Sequence, residues 1–311
     1  MALPQEFLDI QAQVRNWGRW GDDDRLGTLN FLTDEVVRAA ATEVQTGRRI
    51  SLATPLESNG MQLGAIPGRV NAELTTFAVN MSLEDRPEAF HTSDDAVTMG
   101  LQAGTHWDGL AHVSYDGQVY GGRPASIITE EAGAGEIGIE NVRSICGRGV
   151  LLDVARAKGV DELDFGYAIT ADDLDTAVAA QGTEIRSGDI ALIRTGLMRR
   201  YHAGEKENYN GWSGSPGPGL SCVPWFHRHE LAAVATDTFI FEVYPSELET
   251  AALGVHMLDV VDMGLTQGQN WDLEALAADC AADGRYSFFL EASPQPFVGA
   301  CGSPVNPVAI K

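Results

Sequence analysis

The densest run of chemically competent side chains is Gln102-Ala103-Gly104-Thr105-His106-Trp107-Asp108-Gly109-Leu110-Ala111-His112. It holds two of the seven His, one Asp and one Gln inside eleven residues. Imidazole and carboxylate side by side serve two chemistries, metal ligation and proton transfer. Backbone periodicity limits how they converge. A helix joins Gln102 to His106 but turns Asp108 about 200° away from His106. A fully extended strand aligns all four groups and spreads them over about 33 Å, too far for one ion. The chain must therefore bend, and Gly104 and Gly109 are where it can. Between the bends, His106 and Asp108 share one face of a short strand with Cα atoms roughly 6.5 Å apart, which suits one metal ion. His112 follows after the second bend. Spacing alone does not separate this reading from hydrogen-bonded histidines of a core or surface.

The elements that must position this segment come from the rest of the chain. Val150-Leu151-Leu152-Asp153-Val154 and Asp189-Ile190-Ala191-Leu192-Ile193-Arg194 are short apolar runs near glycines, which predicts buried strands. Between them, Thr170-Ala171-Asp172-Asp173-Leu174-Asp175-Thr176-Ala177-Val178 reads as a capped amphipathic helix. Residues 201–221, rich in Gly, Asn, Ser and Pro, form the longest loop, a length often used for lids or binding loops. A short helix over Trp225–Leu231 follows, then a strand over Val234–Ile240, a helix over Leu273–Ala282 and a strand over Tyr286–Leu290. Residues 50–120 have a β-branched, Gly-rich texture, as in Arg69–Phe77. The expected architecture is one α/β domain over 1–311 around a mixed sheet, with a helical N-terminal extension over 1–47.

Composition narrows the partners. The chain has 311 residues, with 44 Asp+Glu against 21 Lys+Arg and a formal net charge of −23. Such a balance argues against nucleic acid and anionic membrane surfaces, which need a basic footprint. Cys146, Cys222, Cys280 and Cys301 form no close pair, so buried thiols are expected instead of a zinc knuckle or a disulfide framework. No secretory signal and no long apolar span is visible, so a cytoplasmic globular protein is expected. A serine-hydrolase elbow is missing: Ser213-Gly214-Ser215-Pro216-Gly217 lacks the first Gly and carries a Pro. No phosphate-binding Gly-x-x-x-x-Gly-Lys-Ser/Thr string occurs either.

Gly104-Thr105-His106-x-Asp108-x-x-x-His112 resembles the His-x-Gly-Thr-His-x-Asp-x-x-x-His signature of the metal-dependent cyclase family, which includes bacterial kynurenine formamidase and isatin hydrolase. The chain is similar to the longer members. Trp20-Gly21-x-Asp23-Asp24 with Leu26-Gly27-Thr28-Leu29-Asn30 resembles their N-terminal string. Leu110–Val113 with Tyr115-Asp116-Gly117, and Gly302-Ser303-Pro304-x-Asn306-Pro307, also match, so the resemblance spans essentially the whole chain. It implies a swivelling β/β/α cyclase-like fold, homodimers or homotetramers, and a manganese- or zinc-dependent hydrolase. The substrates it implies are small: a cyclic amide, imide or lactone, or a formamide.

Carried over position by position, the resemblance makes His106 and Asp108 metal ligands and His112 the acid/base. His256, in Gly254-Val255-His256-Met257-Leu258, matches the family's later His ligand. Two positions depart from the pattern. Gln102 stands where the first His belongs, and Gln269 stands where the bridging Glu is placed. A neutral amide is a weak ligand and cannot offset the repulsion of two divalent ions. One ion per chain on His106, Asp108 and His256 is therefore expected, with a position open to water. Gln102 and Gln269 then serve as weak ligands or orient water and substrate. Water so activated has a pKa near about 7, and His112 shuttles the proton. Asn30, Phe31 and His91 are candidate substrate-pocket residues. The alternative is a degenerate member, a metal-independent enzyme or small-molecule-binding protein.

Other candidates read as structural. His227 and His229, two apart on a helix, diverge and suit a surface better than a metal. His202 is expected in solvent, Trp107 in a core or subunit contact, and Asp237 and Glu242 at strand-end hydrogen bonds.

Overall fold

A computed structural model describes residues 3–311. The strands used below are β1 (Arg49–Ser51), β2 (Glu73–Ser82), β3 (His91–Thr98), β4 (His106–Asp108), β5 (Cys146–Asp153), β6 (Ile190–Arg194), β7 (Ala233–Thr236), β8 (Thr266–Gln269), β9 (Ser287–Glu291), β10 (Gly302–Pro304) and β11 (Val308–Ile310). Nine of them form one mixed sheet in the order β1-β11-β9-β5-β6-β7-β8-β4-β10. β5 to β8 run parallel, and antiparallel strands extend both sides. The helices are α1 (Gln5–Val14), α2 (Asp34–Ala40), α3 (Ala171–Gln181), α4 (Cys222–Arg228) and α5 (Glu274–Asp283).

Alternation along the central strands feeds two cores. Val150, Leu152, Ala191, Ile193 and Val234 join Leu174 of α3 and Trp225 and Phe226 of α4. Leu151, Ile190, Leu192, Ala233 and Ala235 face the other way, toward Leu276 and Cys280 of α5 and the Trp107–Trp271 pair. Strands buried on both faces carry no polar alternation, which is why they read as continuous apolar runs. α3 is held by a capping box between Thr170 and Asp173 and ends at Gly182 in the left-handed region, φ 60°.

The N-terminal helices are bound into this body. Phe7 and Val14 of α1 lie in the first core. Arg15 pairs with Asp262 at 2.7 Å, Asn16 Nδ2 donates to the Met263 carbonyl, and Trp17 Nε1 donates to the Val261 carbonyl. These contacts clamp a π-helical segment, Met257–Met263, that continues directly from a helical turn, Gly254–His256.

Three expectations need correction. The strand expected over Val234–Ile240 stops at Thr236, because Asp237 and Thr238 turn their side chains onto backbone. Asp237 accepts from the Thr195 and Gly196 amides at 2.8 Å, and Thr238 Oγ1 donates to the Ile240 carbonyl. The helix expected over Trp225–Leu231 begins and ends three residues earlier, at Cys222–Arg228. The 201–221 segment is also not structureless: Met198–His202 and Lys206–Tyr209 are helical turns.

β2 and β3 form a separate antiparallel hairpin, outside the main sheet. Leu74, Phe77, Val79, Met81 and Val97 on it, with Leu83 and Phe90 at its tip, are all exposed. No helix among the described residues is long and apolar enough to cross a membrane.

β8 lies against β4 only because Gly268 has no side chain. A Cβ there would come within 2.6 Å of the Ala235 Cβ and 2.7–2.8 Å of both Trp271 and Trp107. Overpacking of this kind costs about 1–3 kcal/mol. Gly268→Ala is therefore expected to lower unfolding free energy by about that amount, read from the midpoint of urea denaturation. An unchanged midpoint would show that the tryptophan pair yields freely.

Candidate functional site

β4 is three residues long, so His106 and Asp108 project from one face and Trp107 from the other. Trp107 is fully buried, stacked edge-on to Trp271 with ring centroids 4.7 Å apart and donating to the Ala292 carbonyl. The chain then turns. The Gly109 amide bonds the Cys301 carbonyl, and the His112 amide returns to the Gly109 carbonyl at 2.9 Å. This single turn brings His112 Nε2 back to 3.5 Å from Asp108 Oδ1, while His106 Nε2 lies 3.4 Å from the same oxygen.

Antiparallel register supplies the next group. Gln269 pairs with His106 and Gln267 with Asp108. Gln269 Nε2 donates to Asp108 Oδ2 and sits 3.4 Å from His256 Nε2. Sequence-separated residues His106, Asp108, His112, His256 and Gln269 are thus brought together. Gln102 lies at the edge of this group, its amide nitrogen 2.7 Å from where a Gly302 side chain would begin. Gly302 is the residue paired with Asp108 across β10.

The ring orientations are fixed from behind. His106 Nδ1 bonds the Gly104 carbonyl at 2.8 Å. A carbonyl only accepts, so Nδ1 carries the proton and Nε2 presents a lone pair to the site. His256 Nδ1 bonds Glu242 Oε1 at 2.6 Å, which orients its Nε2 inward in the same way. Glu242 also accepts from the backbone amides of Val255 and His256, at 3.0 and 2.7 Å, where a carboxylate suits a helix N-terminus. Sequence reasoning expected Glu242 at an ordinary strand-end bond. Nothing in the sequence links it to His256, fourteen residues on.

The electrostatics follow. Burial raises the Asp108 carboxyl, but the neighbouring imidazoles of His112, His106 and His256, whenever they are protonated, outweigh it and hold the pKa well below the carboxylate range. Burial lowers His112, partly offset by Asp108. Burial lowers His256 too, yet its bond to Glu242 leaves it raised overall. His106 Nε2 and Asp108 Oδ1 are buried and have no hydrogen-bond partner. Among the described residues, no three His, Cys, Asp or Glu side chains are set to hold an ion as they stand.

A cavity of about 510 Å³ opens onto the group. His112, His256 and Gln269 line it with Arg69, and Trp212, Phe239, Leu253 and Met257 give it apolar walls. Arg69 and Trp212 carried no motif that would have singled them out. Asn30, Phe31 and His91 do not reach this cavity. Asn30 Nδ2 bonds Asp24 and the Gly27 carbonyl, Phe31 packs edge-on against Trp20, and His91 sits exposed on the hairpin. Asn30 and Phe31 match or flank a recognisable string, but the fold spends both on its own turns and walls. His227 bonds Asn16, His229 stacks on Trp225, and exposed His202 lies 2.9 Å from Asp272.

The arrangement defines a class: a curled mixed sheet whose next-to-last strand carries a His-x-Asp pair beside an aromatic-walled cavity. Residues 31–243 match the model of the family described as "Putative cyclase", and the chain belongs to that family. A solved structure described as a novel cyclase is 39% identical, with all of both chains covered and a TM-score of 0.87. Isatin hydrolase A from Ralstonia solanacearum is 20% identical, covering 89% of this chain and 98% of its own, with a TM-score of 0.61. Isatin hydrolase A from Labrenzia aggregata, bound to benzyl benzoate, is 16% identical, covering 89% and 97%, also at 0.61. These two share the fold. No curated protein matches this chain.

Behind the site, Asp259 is fully buried in the π segment. Its Oδ2 accepts from Gln267 Nε2 at 2.9 Å, while Asp259 Oδ1 and Gln267 Oε1 have no partner. Burial pushes this carboxyl up to about 8 against the pull of the Gln267 bond. Protonated at neutral pH, it gains a donor in a place that holds two unmatched oxygens. The folded pKa lies above the ordinary 3.8, so this contribution to stability is complete below that value and is lost as pH rises through about 8. The Tm is expected to fall between pH 7 and 9.5, less steeply in Asp259→Asn. Equal slopes in the two proteins would place the alkaline sensitivity elsewhere.

Proposed function

We propose that the chain is a metal-dependent hydrolase of small cyclic or aromatic substrates, cleaving the C–N or C–O bond of a cyclic amide, imide, lactone or formamide. The observation that carries this reading is the facing pair of partnerless acceptors, His106 Nε2 and Asp108 Oδ1. Two lone-pair-bearing atoms 3.4 Å apart in a buried site repel unless positive charge lies between them. The donor chemistry fits a divalent cation, about one Mn or Zn per chain, held by His106, Asp108 and His256. Gln269 can join them by a half-turn of its amide, which exchanges Nε2 for Oε1. Such an ion supplies Lewis acidity, polarising the scissile carbonyl and acidifying water.

The remaining work falls to the chain's own groups. His112 lines the cavity beside Asp108, placed to take a proton during attack and return it to the leaving atom. Asp108 holds the positive charge that His112 then carries. Glu242 keeps the His256 ring from rotating. Trp212 and Phe239 offer flat apolar walls that suit an aromatic or cyclic body and exclude water from it. Two isatin hydrolases of the same fold favour such substrates by analogy alone.

A second reading is kept by a specific observation. The Gln269 amide nitrogen donates to Asp108 and reaches His256, so the chain's own groups partly satisfy the buried carboxylate, as a metal-independent enzyme or binding protein would arrange it. Elemental analysis of purified protein separates the two. About one Mn or Zn per chain, lost in His106→Ala, is expected from the first reading. His112→Ala should keep the metal and lose roughly 10²–10⁴-fold in kcat. Metal-free protein with full turnover would establish the second.

We also propose a homodimer or homotetramer, supported by the β2–β3 hairpin. A two-stranded ribbon alone is marginal in water, and Leu74, Phe77, Val79 and Val97 leave it an apolar surface that another copy would cover. Light scattering should return a multiple of 33.3 kDa, reduced toward that mass in a Phe77→Glu, Val79→Glu double variant. A wild-type monomer would refute it.

A further inference from the structure

Arg69 is the cationic side chain of the cavity, and among the described residues no ion pair holds it. It lines the same wall as His112, His256 and Gln269 and is partly buried. Among the described residues, no carboxylate lies within 4.0 Å of its guanidinium, and its side chain makes no hydrogen bond. Arg38, Arg49, Arg143 and Arg228 also lack partners, but those four are exposed to solvent. A guanidinium taken partly out of water without a partner is costly, and here burial does pull its pKa down, with Asp108 opposing. The omission is not for want of acids, since the chain has 44 of them.

What faces Arg69 limits what it can bind. Asp108 lies within electrostatic reach, as does the imidazole of His112. Apart from Ser114 and the site's own His256 and Gln269, the rest of the wall is apolar, with Ile66, Trp212, Phe239 and Ile240 among its residues. A planar guanidinium fork at the rim of an apolar chamber matches a carboxylate on an aromatic or cyclic body, gripped through two parallel N–H···O bonds. A dianion such as phosphate would be repelled by Asp108 and would leave the apolar walls unused.

We propose that Arg69 is a carboxylate-binding residue, so that the ligands of this cavity are small monocarboxylates with an apolar ring. The carboxylate is either carried by the substrate or released when its carbonyl is hydrolysed. Naming the ligand a substrate rests on the hydrolase reading above; the binding itself does not.

The test uses benzoate and benzamide, which share shape and differ in charge. The full chain is stripped of metal with a chelator, dialysed free of it, and titrated with each probe by calorimetry or ligand-observed NMR. Wild type is expected to bind benzoate at least about tenfold tighter than benzamide, a ratio that falls to near one in Arg69→Gln and partly returns in Arg69→Lys. Should Arg69→Gln fail to fold, the Arg69 Nε resonance of wild type serves instead, shifting with benzoate and not with benzamide. Equal affinities in wild type, or a ratio kept in Arg69→Gln, would overturn the proposal. In metal-loaded enzyme, 4-formamidobenzoate and formanilide separate the two origins. A KM ratio that shifts in Arg69→Gln assigns the carboxylate to the substrate; weakened benzoate inhibition with an unshifted ratio assigns it to the product. Should no turnover occur at all, the hydrolase reading fails and the benzoate preference in the stripped protein still decides the role of Arg69.

Discussion

Asp108 is a carboxylate with no exposed surface, and the site is built around satisfying it. A buried anion left unmatched costs several kcal/mol, so the surroundings must supply donors or positive charge. Gln269 gives one hydrogen bond, and His106 and His112 approach the other oxygen without bonding it. Each of these neighbours needs its own structural condition. Gln269 reaches Asp108 only in the β4–β8 register, which in turn requires a bare Gly268 between two tryptophans. His112 returns only through the turn at Gly109. His256 points inward only while Glu242 holds its far nitrogen. The anion comes before the ion: the residues converge on a negative charge that the protein itself leaves partly unanswered.

The neutral amides at positions 102 and 269 set how much positive charge the site can hold. Two divalent ions at close range repel strongly, and carboxylates between them are what makes such a pair tolerable. Here Asp108 is the single carboxylate at the centre, and Glu242 stands behind His256, out of ligating reach of Asp108's free oxygen. Under the proposed reading, one ion would balance this site better than two. Gln269 donates through Nε2 to the carboxylate, and under the proposed reading its amide would turn to offer Oε1 to a cation.

Sequence made the two ends of this problem legible and left the middle dark. The strand-and-turn at His106–His112 follows from side-chain period and two glycines, and the structure has both. The buried strands β5 and β6 were readable because residues buried on both faces must be apolar throughout. The family resemblance placed His256 and Gln269, and they do meet His106 and Asp108. Glu242 and Arg69 were not legible, because each acts across a tertiary contact with no fixed spacing. Asn30 and Phe31 misled for the opposite reason: a recognisable string carried them, yet Asn30 is consumed closing its own turn on Asp24. The strand beyond Thr236 failed where Asp237 and Thr238 preferred backbone partners to the ladder.

The net charge of −23 acquires a different meaning beside this cavity. Taken whole, it opposes any anionic ligand, but salt screens charges beyond a Debye length of about 8–10 Å. Most of the 44 carboxylates therefore contribute little at the reaction centre, and the local balance decides. Locally, Asp108 lies buried beside the lining residue His112, and Arg69 stands without an ion pair on the wall. A neutral ring entering this chamber meets apolar surface; a carboxylate entering or forming there meets one guanidinium at close range and diffuse repulsion beyond it. That gradient retains an anion against the wall and drives it outward once it leaves.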